Sequence, residues 1–159
     1  MLYSSPAALS MVHPLGHYFN PSSTLEQKLG LAASNYELTA SLPSVLSYFG
    51  SNPTQTWQII KKHEEELQGT LLEYLNARKD VTVIGEKSAD PDLRVATVSF
   101  VVEGWNSKDV VDKTEEICGG EVGFRSGMFY SNRLVEDVLG LASDGVVRVS
   151  MVHYNTGTS

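Results

Sequence analysis

Cysteine is nearly missing from this chain: Cys118 is the only one among 159 residues. Neither a disulfide framework nor a cysteine-based zinc site can therefore form within one chain. A reducing, cytoplasmic setting fits that scarcity. Basic residues are few as well, 12 against 19 acidic ones, for a formal net charge of −7. That balance argues against nucleic acid or a membrane surface as a partner, because both require a basic face. No apolar run approaches the ~20 residues of a transmembrane helix. The opening "MLYSSPAALSMVHPLGHYF" lacks the basic n-region and continuous apolar core of a signal peptide. Internal repeats, low-complexity tracts and catalytic-triad signatures are also lacking.

What is present is an ordinary globular balance, 42% hydrophobic and 19% charged, with length for one domain and a real core. Residues 1–33 are punctuated by Pro6, Pro14, Gly16 and Pro21 and read as an irregular lead-in. A kinked linker helix is expected over 34–50. Ser34 and Glu37 have capping-box spacing, Leu38, Leu42, Val45 and Phe49 share a face, Pro43 interrupts, and Gly50 stops it. The remaining 51–159 form a small α+β domain. Its first helix opens with Asn52 as cap, Pro53 at the first position and Gln55 behind, and ends near Arg78. Trp57, Ile60, Leu67, Leu71 and Tyr74 predict its apolar stripe, and "KKHEEE" (61–66) its solvated side.

The period then changes to that of strands: "VTVIG" (81–85), "RVATVSFVVEG" (94–104), "GEVGFR" (120–125) and "GVVRVSMVHYN" (145–155). Helices are predicted over 107–118 and 131–140. The expected fold is α+β: a small, mostly antiparallel sheet of about four strands with helices packed on one side.

One residue breaks the last strand. Arg148 interrupts an otherwise apolar run, and a guanidinium there requires an anion, since an uncompensated buried charge costs several kcal/mol. An internal pair with Glu37, Glu103 or Glu121 would satisfy it; so would a substrate carboxylate, which the planar fork grips with two parallel bonds. Arg125, entering the turn "RSGMFYS", is a second candidate. His153 reads as a hydrogen-bonded wall, His63 as part of a solvated charge run, and Cys118 as a small buried hydrophobe.

Four segments in order, "KLGLAASNYELTASLPSVLSYFG", "RVATVSFVVEGW", "VGFRSGMFYSNRL" and "GVVRVSMVHYNT", resemble the C-terminal part of class V aminotransferases. The nearest branch in appearance is the cysteine desulfurase-like proteins. These are pyridoxal-phosphate enzymes of fold type I. The resemblance implies that Arg148, in a strand leading to Tyr154 and Asn155, binds the substrate carboxylate. It implies that Arg125 assists and that Asn155 belongs to the same substrate-binding set. Ser34 and Asn35 would lie near the cofactor phosphate.

Three departures limit what the resemblance carries. Tyr130 stands where desulfurases place their nucleophilic cysteine, and a phenol near pKa ~10 cannot replace a thiolate. Ala32 and Ala33 replace a Gly-Thr that would reach the phosphate. No His-Lys pair occurs, and the seven lysines lie outside any Schiff-base context. "MLY" looks like the strand that follows that lysine in relatives, and the chain stops at "GTS" where relatives continue. The resemblance therefore implies a truncated chain, inactive alone and binding no pyridoxal phosphate by itself. It would supply the substrate-carboxylate side of an amino-acid-transforming enzyme, as a homodimer or paired with a full-length relative. The alternative is a stand-alone, non-catalytic dimerisation or carboxylate-binding domain.

Overall fold

The structure is a computed structural model, and it describes residues 3–14, 24–30, 35–141 and 144–157. It divides into two units, Met1–Ser51 and Asn52–Ser159. Within the first, the lead-in is not wholly irregular. Helix α1 (Pro6–Met11) starts where Ser5 accepts from the Ala8 N–H and Pro6 fixes the first φ. Helix α2 (Leu25–Leu29) starts at a complete capping box between Thr24 and Gln27. Lys28 Nζ donates to the Leu9 carbonyl at 2.7 Å. Helix α3 spans Tyr36–Tyr48 and continues through Pro43. Its cap is Asn35, whose Oδ1 accepts from the Leu38 N–H at 2.8 Å. The expected cap, Ser34, lies outside the described residues.

The second unit opens with α4 (Pro53–Ala77), capped by Asn52 through the Gln55 N–H. Its buried stripe is Ile60, Gln68, Leu72 and Leu75. The sequence pattern put Trp57 and Tyr74 on that stripe, yet both are more than half exposed. The phase is rotated because a polar residue occupies a core position. Gln68 is buried and its Nε2 donates to the Ala89 carbonyl at 2.9 Å, fastening the loop before the second strand.

Four strands follow: β1 (Val81–Ile84), β2 (Thr97–Val102), β3 (Arg125–Gly127) and β4 (Val146–Ser150). Helix α5 (Ser107–Ile117) lies between β2 and β3 in sequence, and a π-helical turn (Leu134–Val138) between β3 and β4. The spatial order is β1-β2-β4-β3, with every pair antiparallel. Leu72, Leu75 and Val111 pack on Val83, Val98, Phe100, Val147 and Val149, so α4 and α5 cover one face of the sheet. The α+β sheet with helices on one side is thus as the sequence indicates.

Two elements differ from expectation. Residues 120–124 are not a strand, because Gly119 and Gly120 take φ of 62° and 81° and end α5 in a turn. Pairing starts at Arg125, which opens β3 rather than ending it. The predicted helix over 131–140 is largely a π-helical turn, closed by the Leu139 N–H on the Leu134 carbonyl. The start of α5 is capped from a distance. Its N-cap residue Asn106 makes no side-chain bond, and Asp144 Oδ2 accepts from the Ser107 N–H at 2.6 Å. A carboxylate suits that end of the helix dipole.

Candidate functional site

Alternation along β4 sorts its side chains. Val147 and Val149 enter the core, which puts Arg148 on the opposite face of the sheet. The register then decides its neighbours on that face: Ser99 of β2 on one side and Arg125 of β3 on the other. Directly opposed residues of an antiparallel pair hold their Cβ atoms about 5 Å apart, and like charges there repel. Two arginines in register form a site that an anion would relieve.

No anion among the described residues does so. Neither Glu103 nor Glu121 pairs with Arg148, and among the described residues no salt bridge involves Arg148 or Arg125. Arg148 Nε is buried without a hydrogen-bond partner. An unmet buried donor costs about 1–3 kcal/mol, more when charged. One face of the guanidinium is covered: its carbon lies 4.0 Å from the Phe129 ring centroid.

Phe129 reaches that position through an unusual turn. The Ser131 N–H donates to the Met128 carbonyl at 3.0 Å, and the two central residues, Phe129 and Tyr130, have φ of 50° and 63°. Such a turn favours Asn and Gly, and bulky residues in it cost roughly 1–3 kcal/mol each. Tyr130, at the tip, is wholly exposed. Sequence reasoning passed over Phe129, because nothing in its spacing signals a ring over an arginine.

The other candidates fall elsewhere. Asn155 is exposed, and its Oδ1 accepts from the Val152 N–H at 2.8 Å, closing a turn after β4. His63 is not simply on a solvated side: its Nε2 lies 2.8 Å from the Asn155 carbonyl. A carbonyl only accepts, so Nε2 carries the proton in that bond. His153 is half-buried beside the Tyr154 ring. Asn35 uses its side-chain oxygen as the α3 cap; it belongs to the first unit. Ser34, Ala32 and Ala33 lie outside the described residues. Cys118 ends α5 and is half-buried rather than buried. Among the described residues no His, Cys, Asp and Glu cluster could hold a metal, and no helix is long and apolar enough to cross a membrane. An apolar groove of about 400 Å³ between α4, α5 and the sheet is lined by Leu71, Tyr74, Trp105 and Ile117, not by either arginine.

Fold and site together define an α+β domain that sets Arg148 and Arg125 in register on the sheet face opposite its core. Comparison with known proteins gives the family. Residues 23–158 match the model of the aminotransferase class-V family, and the chain belongs to it. It is 51% identical over 156 residues to the aminotransferase-like protein FGM3 of Gibberella zeae, covering 98% of this chain and 38% of that protein. It is 39% identical over 144 residues to the cysteine desulfurase-like protein ustD of Aspergillus flavus, covering 89% of this chain and 32% of that one. The crystal structure of the cysteine desulfurase CsdA from Escherichia coli superposes with a TM-score of 0.64 at 21% identity, over 86% of this chain and 30% of that one. The chain thus spans about a third of the length of these relatives.

Proposed function

We propose that this chain forms the substrate-carboxylate side of the active site of a class V aminotransferase-like, cysteine desulfurase-like protein. The family is pyridoxal-phosphate-dependent. The observation that carries the proposal is the Arg148–Arg125 register, with Arg148 in no salt bridge and its buried Nε in no hydrogen bond among the described residues. A guanidinium held on a central strand fixes the orientation of an amino acid through its carboxylate, and so places the reacting carbon. Arg125, on the edge strand and exposed, adds charge to the grip. Asn155 contributes through its amide nitrogen, the oxygen being engaged in its own turn.

The residues of this chain do not by themselves fit the cofactor. No lysine stands on a strand of the sheet. Lys61, Lys62, Lys108 and Lys113 are ion-paired to Asp92, Glu66, Asp112 and Glu116. Asn35, proposed beside the cofactor phosphate together with Ser34, spends its side-chain oxygen on a helix cap. Pyridoxal phosphate is therefore assigned to the rest of a longer protein, and this chain's part is to receive and orient the amino acid. In that protein residues 1–33 and the 34–50 helix connect to the cofactor-bearing part, and 51–159 form the small domain. A cytoplasmic enzyme acting as a homodimer, without nucleic acid or membrane partners, completes the proposal.

The test is a titration of the full chain with L-alanine, followed by amide and arginine side-chain resonances. Shifts should concentrate on β3 and β4 and vanish in Arg148→Gln. Arg148→Lys should bind weakly, because an ammonium lacks the fork. Shifts absent from β3 and β4, or untouched by Arg148→Gln, would sink the proposal. A second reading, a stand-alone self-associating domain, is favoured by the exposure of Leu38, Leu42, Val45 and Leu46 on α3. Light scattering separates the two: a dimer that Leu38→Ser together with Leu46→Ser dissociates, with no alanine binding, supports it.

A further inference from the structure

We propose that Phe129 is the positioning residue for Arg148, an inference that rests on the carboxylate reading above. Three observations converge on it. The ring lies 4.0 Å from the guanidinium carbon, close enough for the cation to sit on its negative face. The ring is held there by a turn that a plain connector would build from Asn and Gly, with both central residues left-handed. And no described residue offers Arg148 a salt bridge or its Nε a hydrogen bond, so the stack is what locates the fork.

The geometry of stacking explains why a ring suits the task. All five N–H donors of a guanidinium lie in its plane, and a ring against its face consumes none of them. A carboxylate placed there instead would fill the fork and close the site. Phe129 therefore fixes the plane of Arg148 and shields one face from water while leaving the donor edge for a substrate. The backbone strain fits the same purpose: the turn between β3 and β4 delivers a ring to a spot that relaxed geometry would miss. Tyr130, beside it and wholly exposed, makes no comparable contact.

The experiment uses the full chain with three substitutions. Phe129→Gly suits the positive φ and removes the ring; Phe129→Leu keeps bulk without a π-face; Phe129→Tyr keeps both. Two quantities are read: the Arg148 Nε–Hε resonance, which a stacked ring displaces, and the dissociation constant for L-alanine. Gly and Leu should return the resonance towards its position in a free arginine and weaken binding about fivefold, as a half-buried cation–π contact implies. Tyr should restore both. Thermal unfolding of the Gly variant should stay level or rise, which separates positioning from mere support of the turn. An Arg148 resonance identical in wild type, Gly and Leu overturns the inference. If wild-type chain binds no L-alanine, the carboxylate reading fails, while the resonance still decides the positioning role by itself.

Discussion

The stretch Met1–Ser51 and the stretch Asn52–Ser159 use the same local grammar and reach different ends. In the first, α1, α2 and α3 each begin on a side-chain cap, yet none contains a buried residue. Tyr36, Leu38 and Leu46 on α3 are all more than two-thirds exposed or close to it. In the second, Leu72, Val98 and Val147 are almost fully removed from water, and two helices and a sheet share one core. Caps and propensity write a helix; only a packed face holds it, since isolated helices of this length are marginal in water. The described helices of the first stretch carry apolar surface that they do not bury.

The strongest way to break this contrast is to truncate one leucine in each region. Leu72→Ala should cost about 2–5 kcal/mol of unfolding free energy, read from urea denaturation, because its neighbours on the sheet cannot close the cavity. Leu38→Ala on α3 should change the same midpoint by less than about 0.5 kcal/mol. Equal losses would mean that both regions share a core.

A backbone test comes next. Gly145 has φ of 80°, and a Cβ there would fall on the carbonyl group of Gly127. Gly145→Ala should therefore destabilise by more than about 2 kcal/mol and push β3 off β4. The signature is faster amide exchange at Ser126 and Gly127. Gly50 also has positive φ, 71°, but open space around it, so Gly50→Ala should cost about 1 kcal/mol of local helix end and leave the sheet intact.

The smallest effect concerns pH. The hydrogen bond from Arg78 holds the Asp80 carboxyl below its usual range, and backbone N–H groups of Ser88 and Lys87 do the same for Glu86. Groups with depressed values stabilise the fold above the unfolded carboxylate range, and that contribution disappears as pH falls through the folded values. Asp80→Asn should thus lower the melting temperature slightly at neutral pH, and the gap should close below about pH 4. A gap that widens in acid would refute the assignment.

How much of this was legible in the chain varies by residue. The caps at Asn52 and Pro53, the apolar runs of β1, β2 and β4, and the odd charge at Arg148 all announce themselves, because each obeys a short-range rule. The buried stripe of α4 was mis-phased because Gln68 occupies a core position for the sake of a carbonyl in a distant loop. β3 is three residues long with a glycine in it, too short for any period to show. Without β3 the register of Arg125 against Arg148 has no trace in sequence. Phe129 was invisible for a different reason: its turn contradicts the residue preferences by which turns are read.

The strand order has a consequence for synthesis. Among the described strands β4 comes last in sequence, yet it lies between β2 and β3, and β3 pairs with no other described strand. Until it emerges the nascent chain holds a β1–β2 hairpin, which is marginal by itself, and an edge segment waiting for a neighbour. The strand that closes the sheet is also the one that carries Arg148. A translation product halted before Gly145 therefore lacks both Arg148 and the strand that joins β3 to the sheet.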